Sequence, residues 1–71
     1  MYKFLVVIEK ANANFSAYSP DLSGCVATGK TREDAEMNMY EAITFHLQGL
    51  REDNLVIPES VSYAEIMAIA V

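Results

Sequence analysis

The run Pro20-Asp21-Leu22-Ser23-Gly24-Cys25-Val26-Ala27-Thr28-Gly29-Lys30-Thr31 packs three structural instructions into one short stretch. Pro20, Asp21, Ser23 and Gly24 are turn residues: proline presets φ, the short polar side chains bond nearby backbone, and glycine accepts positive φ. Cys25 to Thr28 reads as a short strand, within a third strand spanning residues 24–29 whose small residues permit close backbone approach or a bulge. Thr31 can cap a helix by accepting from the free amides of its first turn. Asp34, three residues on, gives a weak form of the capping box, and Glu33 and Asp34 suit the positive helix end. A strand that feeds directly into a helix in this way leaves few topologies open.

The segments on either side extend the pattern. Residues 2–9 are rich in β-branched and aromatic side chains and apolar on both alternating faces, with Tyr2, Phe4, Val6 and Ile8 on one and Leu5 and Val7 on the other. A strand of this kind is covered on both sides, so a central position is expected. Residues 10–14 supply a turn, with Asn12 and Asn14 suited to left-handed backbone, and residues 15–18 return as the second strand of a hairpin. From Thr31 to about Glu52, Ala35, Met39, Ala42, Ile43, His46 and Leu50 recur at spacings of three and four and form one apolar stripe, which must lie on the sheet. Asp53-Asn54 ends the helix, and Ile57-Pro58 is held extended by the proline. Residues 61–71 read as a last strand; their alanine and methionine also favour helix, but the segment is short and closes on Ile69-Ala70-Val71. The expectation is an α+β domain of order β-β-β-α-β over residues 1–71, a four-stranded sheet with one helix on one face and a right-handed crossover into the last strand.

At 71 residues the core of such a domain is thin, and one cysteine allows neither an intrachain disulfide nor a zinc site with cysteine pairs. A reducing cytoplasm fits this usage. The apolar N-terminus stops at Glu9 with no small-residue cleavage site after it, and no stretch approaches the length of a membrane span. The net charge of −5 and the scattered positions of Lys3, Lys10, Lys30, Arg32 and Arg51 oppose direct binding to a nucleic-acid backbone, whereas an acidic surface steers association with a basic protein.

A single helix covers one face of a four-stranded sheet, yet the first strand is apolar on both faces. The last repeats the problem, with Tyr63, Met67, Ile69 and Val71 opposing Ala64, Ile66, Ala68 and Ala70. Leaving three or four large side chains wet forfeits about 1.5–3 kcal/mol each, comparable with the stability of a whole domain. A homo-oligomer, dimer or tetramer, built through the open face or the edge of the last strand is the expected remedy.

Residues that carry chemistry are sparse. His46 is the only histidine and Cys25 the only cysteine; each reads as a packed side chain, with no partner nearby in sequence to make an acid–base or nucleophilic pair. Glu9, Asp21, Glu41 and Glu65 fall on different elements at spacings that specify no metal site. Gly24 to Thr31 formally fits GxxxxGKT, but residues 25–28 are needed as a strand, and the chain is too short for the rest of a nucleotide-binding fold. No enzymatic role, cofactor or metal is expected.

The central run, together with Thr31-Arg32-Glu33-Asp34-Ala35 opening the helix and Asn38, Glu41-Ala42-Ile43, His46-Leu47, Leu50, Glu52 and Ile57-Pro58 in order, resembles the HicB-like antitoxin family over nearly the whole chain. The resemblance implies a degenerate ribonuclease-H-like fold of the same element order. It also implies a non-catalytic protein-binding module that neutralises a small basic messenger-RNA-cleaving toxin of the HicA type by covering its active surface. Many members add a C-terminal DNA-binding segment; this chain stops at Val71, so operator binding is not expected. The alternative is a stand-alone oligomeric domain with a ligand-binding or regulatory role and no toxin. For a partner, the expected contact surface is the sheet edge and the outer helix face with Met37, Tyr40, Glu41 and Phe45, Glu36 and Glu41 setting the electrostatic fit.

Overall fold

The computed structural model describes residues 1–71. It contains β1 (Val7–Lys10), β2 (Phe15–Tyr18), β3 (Val26–Gly29) and α1 (Arg32–Glu52). The strands form one antiparallel sheet in the order β1-β2-β3. Val7 lies opposite Tyr18 and Tyr18 opposite Val26, while Ile8, Ala17 and Ala27 form the next row. Because side chains alternate across a strand, the first row faces away from the helix and the second faces it. The Ala11 amide donates to the Asn14 carbonyl at 2.8 Å and closes the β1–β2 turn. Neither Asn12 nor Asn14 takes positive φ there, so the left-handed role expected of them is not used.

The link between β2 and β3 does more than turn. Leu22 donates to the Ser19 carbonyl and Cys25 to the Leu22 carbonyl, and Gly24 supplies the positive φ of 78° that the second of these bends needs. This winding points Leu22 inward. Leu22, Ala17, Cys25 and Met39 make the buried core cluster, and Phe4, Val6, Ile8, Ala27, Ala42, Ile43 and Leu47 pack around it. Leu22 and Met39 are its largest fully buried side chains, each stabilising the fold by about 1.5–3 kcal/mol.

The helix is terminated by chemistry at both ends. Thr31 is extended, at φ −123° and ψ 166°, and its hydroxyl accepts from the Asp34 amide at 3.1 Å. At the other end Asn54 takes φ 55°, its amide donates to the Arg51 carbonyl, and the Leu55 amide reaches back to the Leu50 carbonyl at 2.8 Å. Those two bonds are the paired arrangement of a Schellman stop, with asparagine in the place glycine most often takes. Between them Ala35 and Met39 are buried, and the Asn38 amide group donates to the Thr28 carbonyl at 2.7 Å, tying the helix to β3. The helix lies mainly over β3 and β2 and least over β1.

Three expectations are corrected. β1 begins at Val7 rather than Tyr2, because its ladder with β2 ends where the chain turns after Tyr18. β1 is consequently an edge strand, not a central one. Residues 61–71 are not a fourth strand of this sheet: they enter no helix or ladder, so one copy holds three strands with one helix on one face, and the crossover into a fourth is not made. Every residue in this segment except the half-buried Ser62 is exposed. Asp21 holds its start, one carboxylate oxygen accepting from the Val61 and Ser62 amides at 3.2 Å and the other from the Ser62 hydroxyl at 3.0 Å. Beyond that clamp the segment is an extended arm. Its reach gives the molecule a long axis of 50 Å and a radius of gyration of 14.0 Å, against about 11 Å for a compact chain of this length.

Gly29 tests this packing. A Cβ placed there would collide with the Ala35 backbone nitrogen and lie 2.7 Å from the Asp34 carbonyl carbon, and neither backbone atom can swing aside. Gly29→Ala is expected to cost about 1–3 kcal/mol, read as a lowered midpoint in urea, by forcing the helix off the sheet. Gly49→Ala, at a glycine whose added Cβ would meet nothing within 4 Å, is expected to stabilise by up to about 1 kcal/mol.

Candidate partner-binding site

The outer face of α1 carries Met37, Tyr40, Glu41 and Phe45, all exposed. Met37, Glu41 and Phe45 follow one another at four-residue intervals and so share one ridge. Tyr40 stands beside that ridge toward β1, where the Thr44 hydroxyl donates to its carbonyl at 2.9 Å. The four residues do not converge on one hollow. Tyr40 borders a groove between the helix and the N-terminal segment, whereas Phe45 borders a smaller one with Gly24, Cys25, Val26 and His46. Acidic side chains adjoin the ridge: Glu33 stands one turn before Met37 and Glu36 immediately before it, and Arg32 pairs with Glu36 at 3.2 Å. That pair is exposed and adds little to stability.

The larger groove follows from the tilt of the helix toward β3. It encloses about 720 Å³, floored by Phe4, Val6 and Ile8 on one side and Met39, Ile43 and Leu47 on the other. The alternation of residues 2–8 predicts the strand wall, and the three- and four-residue spacing predicts Met39 and Ile43. Leu47 was not in the predicted stripe, because a stripe drawn through His46 and Leu50 follows the side of the helix nearer β3. The other residue missed by sequence reasoning is Asp21, whose turn position is legible but whose clamp on Val61 and Ser62 joins positions forty residues apart.

Cys25 and His46 line the same smaller groove, of about 400 Å³, yet no hydrogen bond joins them. Burial pushes the Cys25 thiol above its ordinary value of 9.0. That direction is opposite to the thiolate-favouring shift of a cysteine nucleophile. Glu9 is exposed on β1, Asp21 is engaged by the arm, Glu41 lies on the outer helix and Glu65 on the arm, so these carboxylates do not meet. The Gly29-Lys30-Thr31 segment is likewise committed: Gly29 pairs with Phe15 in the sheet and Thr31 caps the helix.

The raised thiol makes a linkage prediction. In the unfolded chain Cys25 ionises first, so the stability its burial provides is complete below that ordinary value and is lost as pH rises toward and through the folded value. The thermal midpoint of the wild type should therefore fall more between pH 8 and 10 than that of Cys25→Ala. Equal slopes in the two proteins would remove the burial argument.

Residues 4–70 match the family described as HicB_like antitoxin of bacterial toxin-antitoxin system. An uncharacterized 14.9 kDa protein from the rep-hol intergenic region of Haemophilus phage HP1 is 40% identical over 55 residues, 78% of this chain. The match spans only 41% of the phage protein's length. A UPF0150 protein of Helicobacter pylori is 45% identical over 49 residues, covering 69% of this chain and 68% of that protein. Among solved structures, a chain of a HicA3 and HicB3 toxin-antitoxin complex superposes with a TM-score of 0.66 at 27% identity, covering 83% of this chain and 72% of the other. With the turn, the strand and the helix cap seated as its central run requires, and nearly all of its length matched, the chain belongs to the HicB-like antitoxin family of bacterial toxin-antitoxin systems.

Proposed function

We propose that this chain is a non-catalytic binding module that neutralises a small basic messenger-RNA-cleaving toxin of the HicA type by covering it, in the cytoplasm and as a homo-oligomer. The observation that carries the reading is the likeness, in both backbone and sequence, to a chain of a toxin-antitoxin complex. The physical character of the surface supports it. A net charge of −5 draws a basic protein in, and long-range attraction of this kind raises the rate of encounter more than the final affinity. Short-range affinity needs large side chains that exclude water, and Met37, Tyr40 and Phe45 provide them on the outer helix beside Glu36 and Glu41. A protein that acts by coverage needs no activated group, which agrees with a thiol whose burial disfavours its reactive form.

In this reading the ribonuclease-H-like arrangement is completed only when residues 61–71 join a sheet as its fourth strand. The apolar arm and the row Val7, Tyr18 and Val26 on the face away from the helix support self-association as the means.

The test is titration of the purified chain with any small basic protein encoded beside its gene, or failing one with a HicA-type toxin, together with growth of cells that express both. A complex that weakens as salt rises, and rescue of growth, are expected. Tyr40→Ala and Phe45→Ala should each weaken binding by about tenfold or more, and Glu41→Lys should act chiefly on the association rate. Absence of both complex and rescue would leave the stand-alone oligomeric domain as the better reading.

A further inference from the structure

Two stretches of this chain have the composition of strands and no strand to pair with. Residues 2–6 continue the line of β1 beyond the last ladder position at Val7, and residues 63–71 make no backbone hydrogen bond at all. The sheet order leaves the outer edge of β1 unpaired as well. Unpaired strand edges with apolar side chains are templates for another strand. Alongside this edge runs the groove floored by Phe4, Val6, Ile8, Met39, Ile43 and Leu47. A strand added there would send alternate side chains into the groove and the remainder onto the open face, a position that suits a segment apolar on both sides.

The arm is such a segment. Tyr63 is 91% exposed, Ile66 103% and Ile69 72%, and Glu65 is the only charged residue from Ser60 onward. The surface area measures the need. A folded monomer of 7.9 kDa exposes about 4,400 Å², whereas this chain exposes 5988 Å². The excess of about 1,600 Å² per copy, taken over two copies, falls in the range of permanent homodimer interfaces.

We propose that two copies of this chain exchange arms, residues 64–71 of each adding as a fourth strand to the free edge formed by residues 2–8 of the other. The inference rests on the self-association proposed above and gives its geometry. Each copy has one arm to give and one edge to receive it, so a twofold pair satisfies both sites and leaves no arm over. Asp21 sets the exchange up. It grips Val61 and Ser62 beside the turn that follows Tyr18, at the end of the sheet from which residues 2–6 emerge, and the arm beyond that clamp joins no ladder of its own sheet. Charge argues for a second copy over a basic toxin as the occupant, because the arm has one carboxylate against its many apolar side chains, whereas five of the ten acidic residues lie on the helix.

The test mixes isotope-labelled and unlabelled full-length chains, measures particle mass by light scattering, and records isotope-filtered nuclear Overhauser contacts. Expected are a particle of at least twice 7.9 kDa, slowed amide exchange in residues 64–71, and contacts from the labelled arm to residues 2–8 of unlabelled copies. Ala68→Pro, which removes a ladder donor on an exposed segment and so spares the core, should raise the dimer dissociation constant at least about tenfold, while Ala68→Ser should leave it near that of the wild type. A monomer would overturn both self-association and exchange. An oligomer whose arm contacts only residues 2–8 of its own chain would overturn exchange and leave self-association standing. An arm that gains protection only when the toxin is added would assign it to the toxin and overturn the proposal.

Discussion

The missing side chain of Gly29 sets the distance between sheet and helix. It lets the backbone at Asp34 and Ala35 rest directly on the end of β3, so that Ala35 is completely buried and the first helical turn starts in contact. Thr31 then caps a helix already in place, and the Asn38 bond to the Thr28 carbonyl holds it one turn further on. A helix fixed this closely to β3 cannot also sit close to β1. The groove along the N-terminal segment is the geometric remainder of that choice, and Phe4, Val6, Ile8, Ile43 and Leu47 there are left only half-buried.

How much was legible in the chain depended on whether the cause lay within a few residues. β2 and both helix ends follow from local chemistry: a threonine hydroxyl, an asparagine able to adopt positive φ and a spacing of three and four all act over less than two turns. The third strand was read slightly long, because Cys25 is drawn into the core by the bend at Leu22 and pairing starts at Val26. The errors concern partners. Residues 2–6 have strand composition, but composition cannot say where a ladder runs out, and here it runs out because β2 is four residues long. Residues 61–71 likewise carry strand propensity without a neighbour in the same chain. Propensity describes how well a side chain fits a pleated surface, so it is silent about whether that surface is present. Of the candidate contact residues, exposure on the helix was predictable from the stripe opposite; the division of Tyr40 and Phe45 between two grooves was not, since it depends on the helix tilt.

The molecule keeps two kinds of surface apart. The outer helix is charged and studded with large side chains, a texture suited to a water-soluble partner that binds and leaves. The N-terminal edge and the arm are almost free of charge, a texture suited to contacts that stay dry. Asp21 stands at the boundary, using a carboxylate from the central turn to fix where the second surface begins.

The sheet neighbours are consecutive in the chain, and the helix that covers them follows at once, so nearly all the structure in one copy can form from nearby segments. Such contacts form quickly because little loop entropy is lost in closing them. The arm comes after the helix in the chain, and thus leaves the ribosome after the segments that form the domain. Its association with any other molecule is a second-order event. In the arm exchange proposed above, the local density of sister chains on one message, and not the intrinsic folding rate, would then set how long its apolar side chains remain wet and open to misassociation.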